Sequence, residues 1–539
     1  MAELNFTPEQ RAAIDTRGST VLVSAAAGSG KTRVLTERLM AYLTDAENPV
    51  DIDRFLVITY TRAAAAELRS RILDGIYARI ASDPENRRLR RQAALCAHAE
   101  IGTIHSFCAD FLRANCAALA LAPDFQVADT ERCIALRTTA LERTLERAYA
   151  HMDADAPFRL LADTVGNGRD DARLGELVLT LYDKMQCHAR PAQWAAQQVE
   201  LLALDGVTDA GATPWGRSLL ARVRESATHW CSVLEAQLEV MADAGMEWLM
   251  GIYGGSISAT VDGLHTLADA CDQSWDAAVA ALQDVPFPRL GSVRNAPDPD
   301  TREHVKAQRD AAKKAVQTLQ KQINIPSAQA LSDLHATAPA MQALLALTLD
   351  FGAAYAAEKR RRSLVDFSDL EHMAAQLLTD EDGAPTELAR QLSGRYTEIM
   401  VDEYQDVSEV QDLIFRAVSR EGSNLFFVGD VKQSIYRFRL ADPTIFLDKY
   451  ARFADFREAA PGAPRRILLR ENFRSRRAVL AAANHVFSNI MSRALGELDY
   501  DDAARLRAGA SYPGDDVLPE LAVLELPDAD DDAPTPEKA

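Results

Sequence analysis

Val21-Leu22-Val23-Ser24-Ala25-Ala26-Ala27-Gly28-Ser29-Gly30-Lys31-Thr32, with the helix-forming run from Arg33 to Leu43 behind it, decides how the rest of this chain is read. An apolar, β-prone segment enters a turn of small residues and leaves into a helix, the setting in which a Walker A phosphate loop carries meaning. Ala25 stands where that motif usually has its first glycine; four residues follow, then Gly30, Lys31 and Thr32. Small side chains at Ala26, Ala27, Gly28 and Ser29 let the loop backbone wrap a phosphate, and the N–H groups of the helix start point at its charge. Residues Ala25 to Arg33 are therefore the candidate nucleotide site. Lys31 is placed to reach the β- and γ-phosphates and the Thr32 hydroxyl to bind Mg²⁺. The alternative, a glycine-rich turn before an ordinary helix, is outweighed by the complete spacing and context.

Working outward, Phe6-Thr7-Pro8-Glu9-Gln10 reads as a capped helix start, and the Gln10 amide has the donor and acceptor needed to read an adenine edge. Downstream, Phe55 to Thr61 reads as a buried strand running into the alanine-rich helix that begins at Arg62. A strand ending in hydroxyls and an aromatic suits single-stranded nucleic acid, with Thr59 and Thr61 on phosphates, Tyr60 stacking on a base and Arg62 adding charge. Ile101 to Cys108 reads as a second such edge, a short strand leading into a helix from Ala109 and bearing Thr103 and His105. His105 draws interest only from this company.

From about Arg113 to Tyr355 the pattern is helical, with Gly and Pro clusters near Gly166, Gly251 to Gly254 and Val285 to Pro299. A helical block of this length set between strands of one sheet predicts an inserted domain, whose core holds Trp194, Trp215, Trp230, Trp248 and Trp275. The α/β pattern resumes at Ser363 to Leu370. Tyr396 to Val401 then reads as a strand whose end carries Asp402-Glu403-Tyr404-Gln405-Asp406. Acids at the carboxyl end of a parallel strand beside a phosphate loop are what Mg²⁺ and a nucleophilic water require: Asp402 for the metal, Glu403 to orient and deprotonate the water. Asn424 to Asp430 reads as another strand, followed by Gln433 at the γ-phosphate and by Phe438 and Arg439 on a base and a phosphate. Arg466 to Ser475 reads as opening a new β-to-helix unit, and after an apolar stretch from Leu518 to Leu526 the chain becomes an acidic tail.

The 539 residues are enough for roughly three to four domains, and the hydrophobic content of 47% supports real cores. Seven cysteines without a Cys-x-x-Cys pair argue against a zinc ribbon or a disulfide frame, which fits a reduced, cytoplasmic setting. The amino terminus is polar, and no apolar run reads as long enough to cross a bilayer, so no membrane is expected. A net charge of −20 speaks against nucleic acid only until local basic clusters are weighed: Arg62, Arg69 and Arg71; Arg87 to Arg91; Lys306 to Lys314; Lys359 to Arg362. Each cluster by itself reads as a solvated helix face.

In order along the chain, Gln10, Ala25 to Thr32, Thr59 to Arg71, Thr103 to Phe107, Asp402 to Asp406, Gly429 to Arg439 and Asn472 to Ser475 resemble the first motifs of the superfamily 1 DNA helicases of the UvrD/RecB type. The alanine run after Thr61, the helical insert and Gln433 to Arg439 are most similar to the AddA helicase subunits of RecBCD-like double-strand break repair complexes. The resemblance implies a RecA-like α/β core, a P-loop NTPase sheet with a large all-helical insert and the start of a second RecA-like lobe. The boundaries expected are 1–112 and 356–465 for the first lobe, 113–355 for the insert, 466–526 for the second lobe and 527–539 for the flexible tail. It further implies an ATP-driven motor moving 3′ to 5′ along single-stranded DNA, with double-stranded DNA opened ahead of it and an AddB-like partner. Phe473 would stack on adenine, Arg474 would contact the γ-phosphate, and Tyr60 and Phe438 would stack on bases.

Two departures from the family pattern, Arg62-Ala63 for Asn-Lys and Phe438 for tryptophan, concern DNA contacts rather than phosphate chemistry. The later helicase motifs, including an arginine reaching across the ATP cleft, and the nuclease are not found before Ala539. An arginine of that kind is worth on the order of 10³–10⁵ in rate. The chain is thus expected to be a fragment or truncated product, and the alternative reading is an ATP- and DNA-binding module that hydrolyses poorly until a partner completes it. A P-loop ATPase of the chromosome-segregation kind is a weaker alternative, because Asp402 to Asp406 and Gln433 to Arg439 tie the nucleotide to a strand groove.

Overall fold

The computed structural model describes residues 6–153, 155–166, 171–243, 245–292, 296–437, 441–496, 498–513 and 520. Its strands, in chain order, are β1 (Val21–Ala25), β2 (Phe55–Ile58), β3 (Glu100–Gly102), β4 (Gln126–Val127), β5 (Leu364–Val365), β6 (Glu398–Val401), β7 (Leu425–Gly429), β8 (Ala454–Asp455), β9 (Arg465–Leu469), β10 (Glu471–Asn472) and β11 (Arg507–Ala508). Seven of them form one sheet in the order β3-β2-β6-β7-β1-β9-β8, with every neighbouring pair parallel. The central strands are apolar along their length because helices cover both faces of such a sheet.

Alternation along each strand sorts the core into two layers. Leu22, Ile58, Ile399, Val401 and Phe427 face one way, onto the helices Ile104–Ala114, Phe367–Leu378 and Glu409–Ala417. Val21, Val23, Val57, Met400, Phe426 and Val428 face the other, onto the helices Pro8–Asp15, Lys31–Leu43 and Arg62–Ser82. Through this second layer runs a fully buried ion pair: Arg38 donates to both carboxylate oxygens of Glu398, at 2.7 and 2.5 Å, and to the Ala13 carbonyl at 2.6 Å. The charge is tolerated there because its partner and extra acceptors travel with it.

The described residues divide into two compact units, one from Met1–Arg143, Thr180–Pro191 and Phe351–Ala539, the other from Thr144–Leu179 and Ala192–Asp350. The sheet belongs to the first. The second is helical, its core built from Leu220, Leu234, Ile257, Leu264, Trp275, Val305 and Val316, with Trp215, Trp230 and Trp248 packed around it.

Several expectations are corrected. Arg466 to Leu469 does not open a second lobe: the segment is β9 of the first sheet, paired with β1 from Val21 to Ala25, because its apolar Ile467 and Leu469 complete the second core layer. After β9 the chain forms the small parallel pair β10–β11 and the helix Arg477–Ile490. Leu364 and Val365 join β4 in a separate two-stranded sheet rather than the main one. The helix expected from Ala109 starts at Ile104, because Thr103 caps it, accepting from the Ser106 N–H at 3.3 Å. One helix, Ser327–Arg361, is long and apolar enough to pass for a membrane span by length and composition. It interrupts its apolar run with Pro339 and buries Leu344, Leu347, Phe351 and Tyr355. The stretch from Leu518 to Leu526 lies, apart from residue 520, outside the described residues, as does the tail.

Candidate active site

The phosphate loop follows β1 as its spacing requires. Gly28 and Gly30 both take left-handed backbone, φ 69° and 86°, and Gly30 is the N-cap of the helix Lys31–Leu43. Side chains from distant segments hold the loop. Gln10, buried, accepts from the Thr7 N–H at 3.1 Å and donates to the Ser29 carbonyl at 2.9 Å, so its amide ties the first helix to the loop. From the other side, Asn472 donates to the Ala27 carbonyl at 2.6 Å and the Phe473 N–H donates to the Gly28 carbonyl at 2.9 Å. Asn472 Oδ1 also accepts the Arg474 and Ser475 N–H groups, each at 2.8 Å. Phe473 and Gln10 line a polar cavity of about 280 Å³ with Thr7, Ser29 and Arg457. Arg33 lies over the Phe6 ring, its guanidinium carbon 4.9 Å from the centroid, rather than over the loop.

Across one intervening strand, the acids stand at the carboxyl end of β6. Lys31 Nζ meets Glu403 Oε2 at 3.0 Å, joining residues 372 apart in the chain. Asp402 is partly buried under the same edge; desolvation first and the neighbouring Glu403 second push its carboxyl up to about 6. The Glu403 N–H donates to Asp402 Oδ1 at 3.0 Å, and Glu403 itself takes left-handed backbone, φ 52°, which for a residue with a Cβ is stored strain. Asp406 is likewise pushed up to about 6, by burial and then by Glu403.

The fit to a nucleotide with Mg²⁺ rests on what this edge leaves unsatisfied. Ser29 Oγ, inside the loop, and Asp406 Oδ1, beside the acids, are buried with no hydrogen-bond partner. Buried polar atoms normally find partners. Here a phosphate oxygen and a cation's water shell would supply them, and Thr32 and Asp402 would be the residues to hold the cation.

A second cavity, of about 730 Å³, runs from Thr59, Tyr60 and Thr61 past His105 to Asp402, Glu403 and Asp406. It brings the strand-edge residues to the acids, yet several of them are already engaged. The Thr61 hydroxyl caps its helix, accepting from Ala64 at 3.0 Å; the Thr59 hydroxyl donates to the Thr61 carbonyl at 3.1 Å. Thr103 caps the next helix, and His105 Nε2 lies 2.9 Å from Glu371 Oε1. Tyr60 stacks on Tyr436, centroids 4.6 Å apart and planes 23° from parallel. Arg62 lines another cavity, of about 720 Å³, beside β3. Phe438 and Arg439 lie outside the described residues.

Gln433 does not meet Lys31. Its amide donates to Asp430 at 2.8 Å, and Asp430 in turn pairs with Lys432 at 2.9 Å. Most cations of the basic clusters are exposed, among them Arg62, Arg71, Arg90, Lys313 and Lys314, while Arg69 donates to the Ala99 and Ile101 carbonyls, and Arg88 and Arg91 pair with Asp51. Lys359, buried, sits between Asp366 and Asp369 at 2.8 and 2.6 Å. Residue type and spacing give no role to Gln405, Asp430, Asn472 or Tyr436. Only their positions inside quoted motifs could have marked them, since what they touch is decided across strands.

The UvrD/REP helicase N-terminal domain matches residues 6–454. An ATP-dependent helicase/nuclease subunit of Acetivibrio thermocellus is 40% identical over 518 residues, covering 94% of this chain and 41% of that protein. Its counterpart in Pelotomaculum thermopropionicum is 40% identical over 519 residues, 94% of this chain and 40% of that protein. For the counterpart in Geobacillus thermodenitrificans the figures are 38% over 535 residues, 96% and 42%. The chain thus spans about two-fifths of the length of these relatives. Since the matched span takes in the phosphate loop, the facing acids and the helical insert alike, the chain belongs to the UvrD/REP helicase family through that family's N-terminal domain.

Proposed function

We propose that the chain is the motor portion of an ATP-dependent DNA helicase that acts in double-strand break repair, translocating 3′ to 5′ along single-stranded DNA in the cytoplasm beside an AddB-like partner. The observation that carries this reading is the 3.0 Å contact between Lys31 and Glu403, which puts a phosphate-binding cation and a candidate general base at one point. Support also comes from the relatives, whose shared name is that of a helicase/nuclease subunit.

On this reading Lys31 turns from Glu403 to the β- and γ-phosphates when ATP arrives, and Glu403 is released to accept a proton from the attacking water. Thr32 and Asp402 would hold Mg²⁺, which would supply charge neutralisation at the phosphates. Phe473 offers its exposed ring to the adenine, while Gln10 holds the loop against which the triphosphate lies. Tyr60, Phe438 and Arg439 with the edge residues Thr59, Thr61, Arg62, Thr103 and His105 form the DNA grip. Stacking of about 1–3 kcal/mol per base suits a motor indifferent to sequence.

ATP turnover by the purified chain with and without single-stranded DNA tests the reading, together with strand displacement from duplexes carrying 3′ or 5′ tails. DNA-stimulated turnover is expected. Nucleotide binding without turnover would favour the binding-module alternative, and failure to bind ATP at all would remove the motor reading.

A further inference from the structure

We propose that Gln405 is a positioning residue that fixes the Glu403 carboxylate and ties it to the Asp430–Gln433 turn, so that the hydrolysis site and the strand groove are joined through one buried amide. This rests on the motor reading above. Gln405 is 1% exposed. Its Nε2 donates to Glu403 Oε2 and to Asp406 Oδ2, both at 3.0 Å, and its Oε1 accepts the Asp430 N–H at 2.9 Å. Only a side chain that carries donor and acceptor on one rigid plane makes all three contacts.

The space for this amide is kept by a second residue. A Cβ on Gly429 would lie 2.5 Å from Gln405 Oε1 and 3.1 Å from its backbone nitrogen, although Gly429 has no positive φ that would require glycine. The glycine at the end of β7 is there for room. Beyond it Asp430, also buried, takes the Gln433 amide, and Tyr436 three residues on stacks against Tyr60 in the groove. A chain of contacts therefore runs from Lys31 through Glu403, Gln405 and Asp430 to Gln433.

Glu403 has two holders here, Lys31 and Gln405. When a triphosphate draws Lys31 away, Gln405 is the remaining donor, and it keeps the carboxylate from swinging out of line with the water. Its loss therefore falls on the chemical step rather than on ATP affinity.

The test uses this chain with Mg²⁺-ATP and single-stranded DNA, measuring ATP affinity by calorimetry and hydrolysis under single-turnover conditions, with Glu403→Gln as the zero. Gln405→Leu and the isosteric Gln405→Glu, which lacks the N–H donors, are each expected to slow hydrolysis about 100-fold, the scale of a small misplacement of a reacting group. ATP affinity should stay within about threefold. Gly429→Ala, which presses on the amide without removing it, is expected to show the same split and serves if Gln405→Leu folds poorly. Unchanged rates in all three variants would overturn the inference, as would rate and affinity falling together, which would mark a merely structural role. A wild-type rate no greater than that of Glu403→Gln would instead remove the motor reading, and this inference with it.

Discussion

Gly28→Ala makes the sharpest test of how the phosphate loop is held. Gly28 sits at φ 69°, and a Cβ there would lie 2.7 Å from Asn472 Nδ2 and 2.9 Å from Arg474 Cβ. Two costs add. An L-residue in left-handed backbone is destabilised by about 1–2 kcal/mol. The added methyl also pushes away the Asn472 amide, breaking its 2.6 Å bond to the Ala27 carbonyl at a net cost of about 1 kcal/mol. If the binding-competent loop bears the sum of about 2–3 kcal/mol, ATP affinity falls roughly 30- to 150-fold. Gly18→Ala is the control, because Gly18 has the same φ of 69° and nothing within 4 Å of its Cβ position. It should show the torsional cost in melting temperature alone and leave ATP affinity unchanged. Calorimetric titration of both variants decides: equal affinities for Gly28→Ala and wild type, or equal losses in the two variants, would refute the latch between Asn472 and the loop.

Four further outcomes are expected. Lys31→Ala should weaken ATP binding, since the phosphates lose their counter-charge, and an unchanged dissociation constant would contradict the assignment. Glu403→Gln should keep ATP binding while hydrolysis is lost, which a burst-free, flat product trace would register. Glu398→Ala strands the fully buried Arg38 charge and should lower stability by about 3–5 kcal/mol in urea unfolding, because breaking one side of a buried pair leaves the other uncompensated. For Asp406 the folded carboxyl titrates near 6 against an ordinary 3.8, so the folded state binds the proton more tightly than the unfolded one. Its contribution to stability is fully present below about pH 4 and is lost as pH rises through 6. Asp406→Asn should therefore be more stable than wild type at pH 7, by on the order of 1–3 kcal/mol, with the gain vanishing near pH 4 in pH-resolved thermal melts.

Much of the α/β core was legible because its signals are local. The apolar runs of β1, β2, β6 and β7, the small residues between Ala25 and Gly30, and the acids after Val401 each declare themselves within a dozen residues. Less visible were the endings of elements. Thr103 and Thr61 read as nucleic-acid contacts by residue type, and each hydroxyl oxygen also accepts an N–H of the helix it caps, a use that spacing does not reveal. The basic runs read as solvated helix faces, and most of their residues are exposed, but one member departs from that. Lys359 reads as one cation among four and is in fact folded between Asp366 and Asp369, since a buried ammonium must find carboxylates.

By itself the sequence determined that a glycine-rich loop between strand and helix, a strand ending in acids and a helical insert exist, because strand, turn and helix propensities act over a few residues. Which of these meet was decided by the order of strands in the sheet. That order sets Glu403 against Lys31 across 372 residues of chain, places β9 beside β1 rather than in another lobe, and threads Gln405 into the space left by Gly429. Contacts of that kind depend on parallel pairing between distant segments, for which no residue carries a local mark.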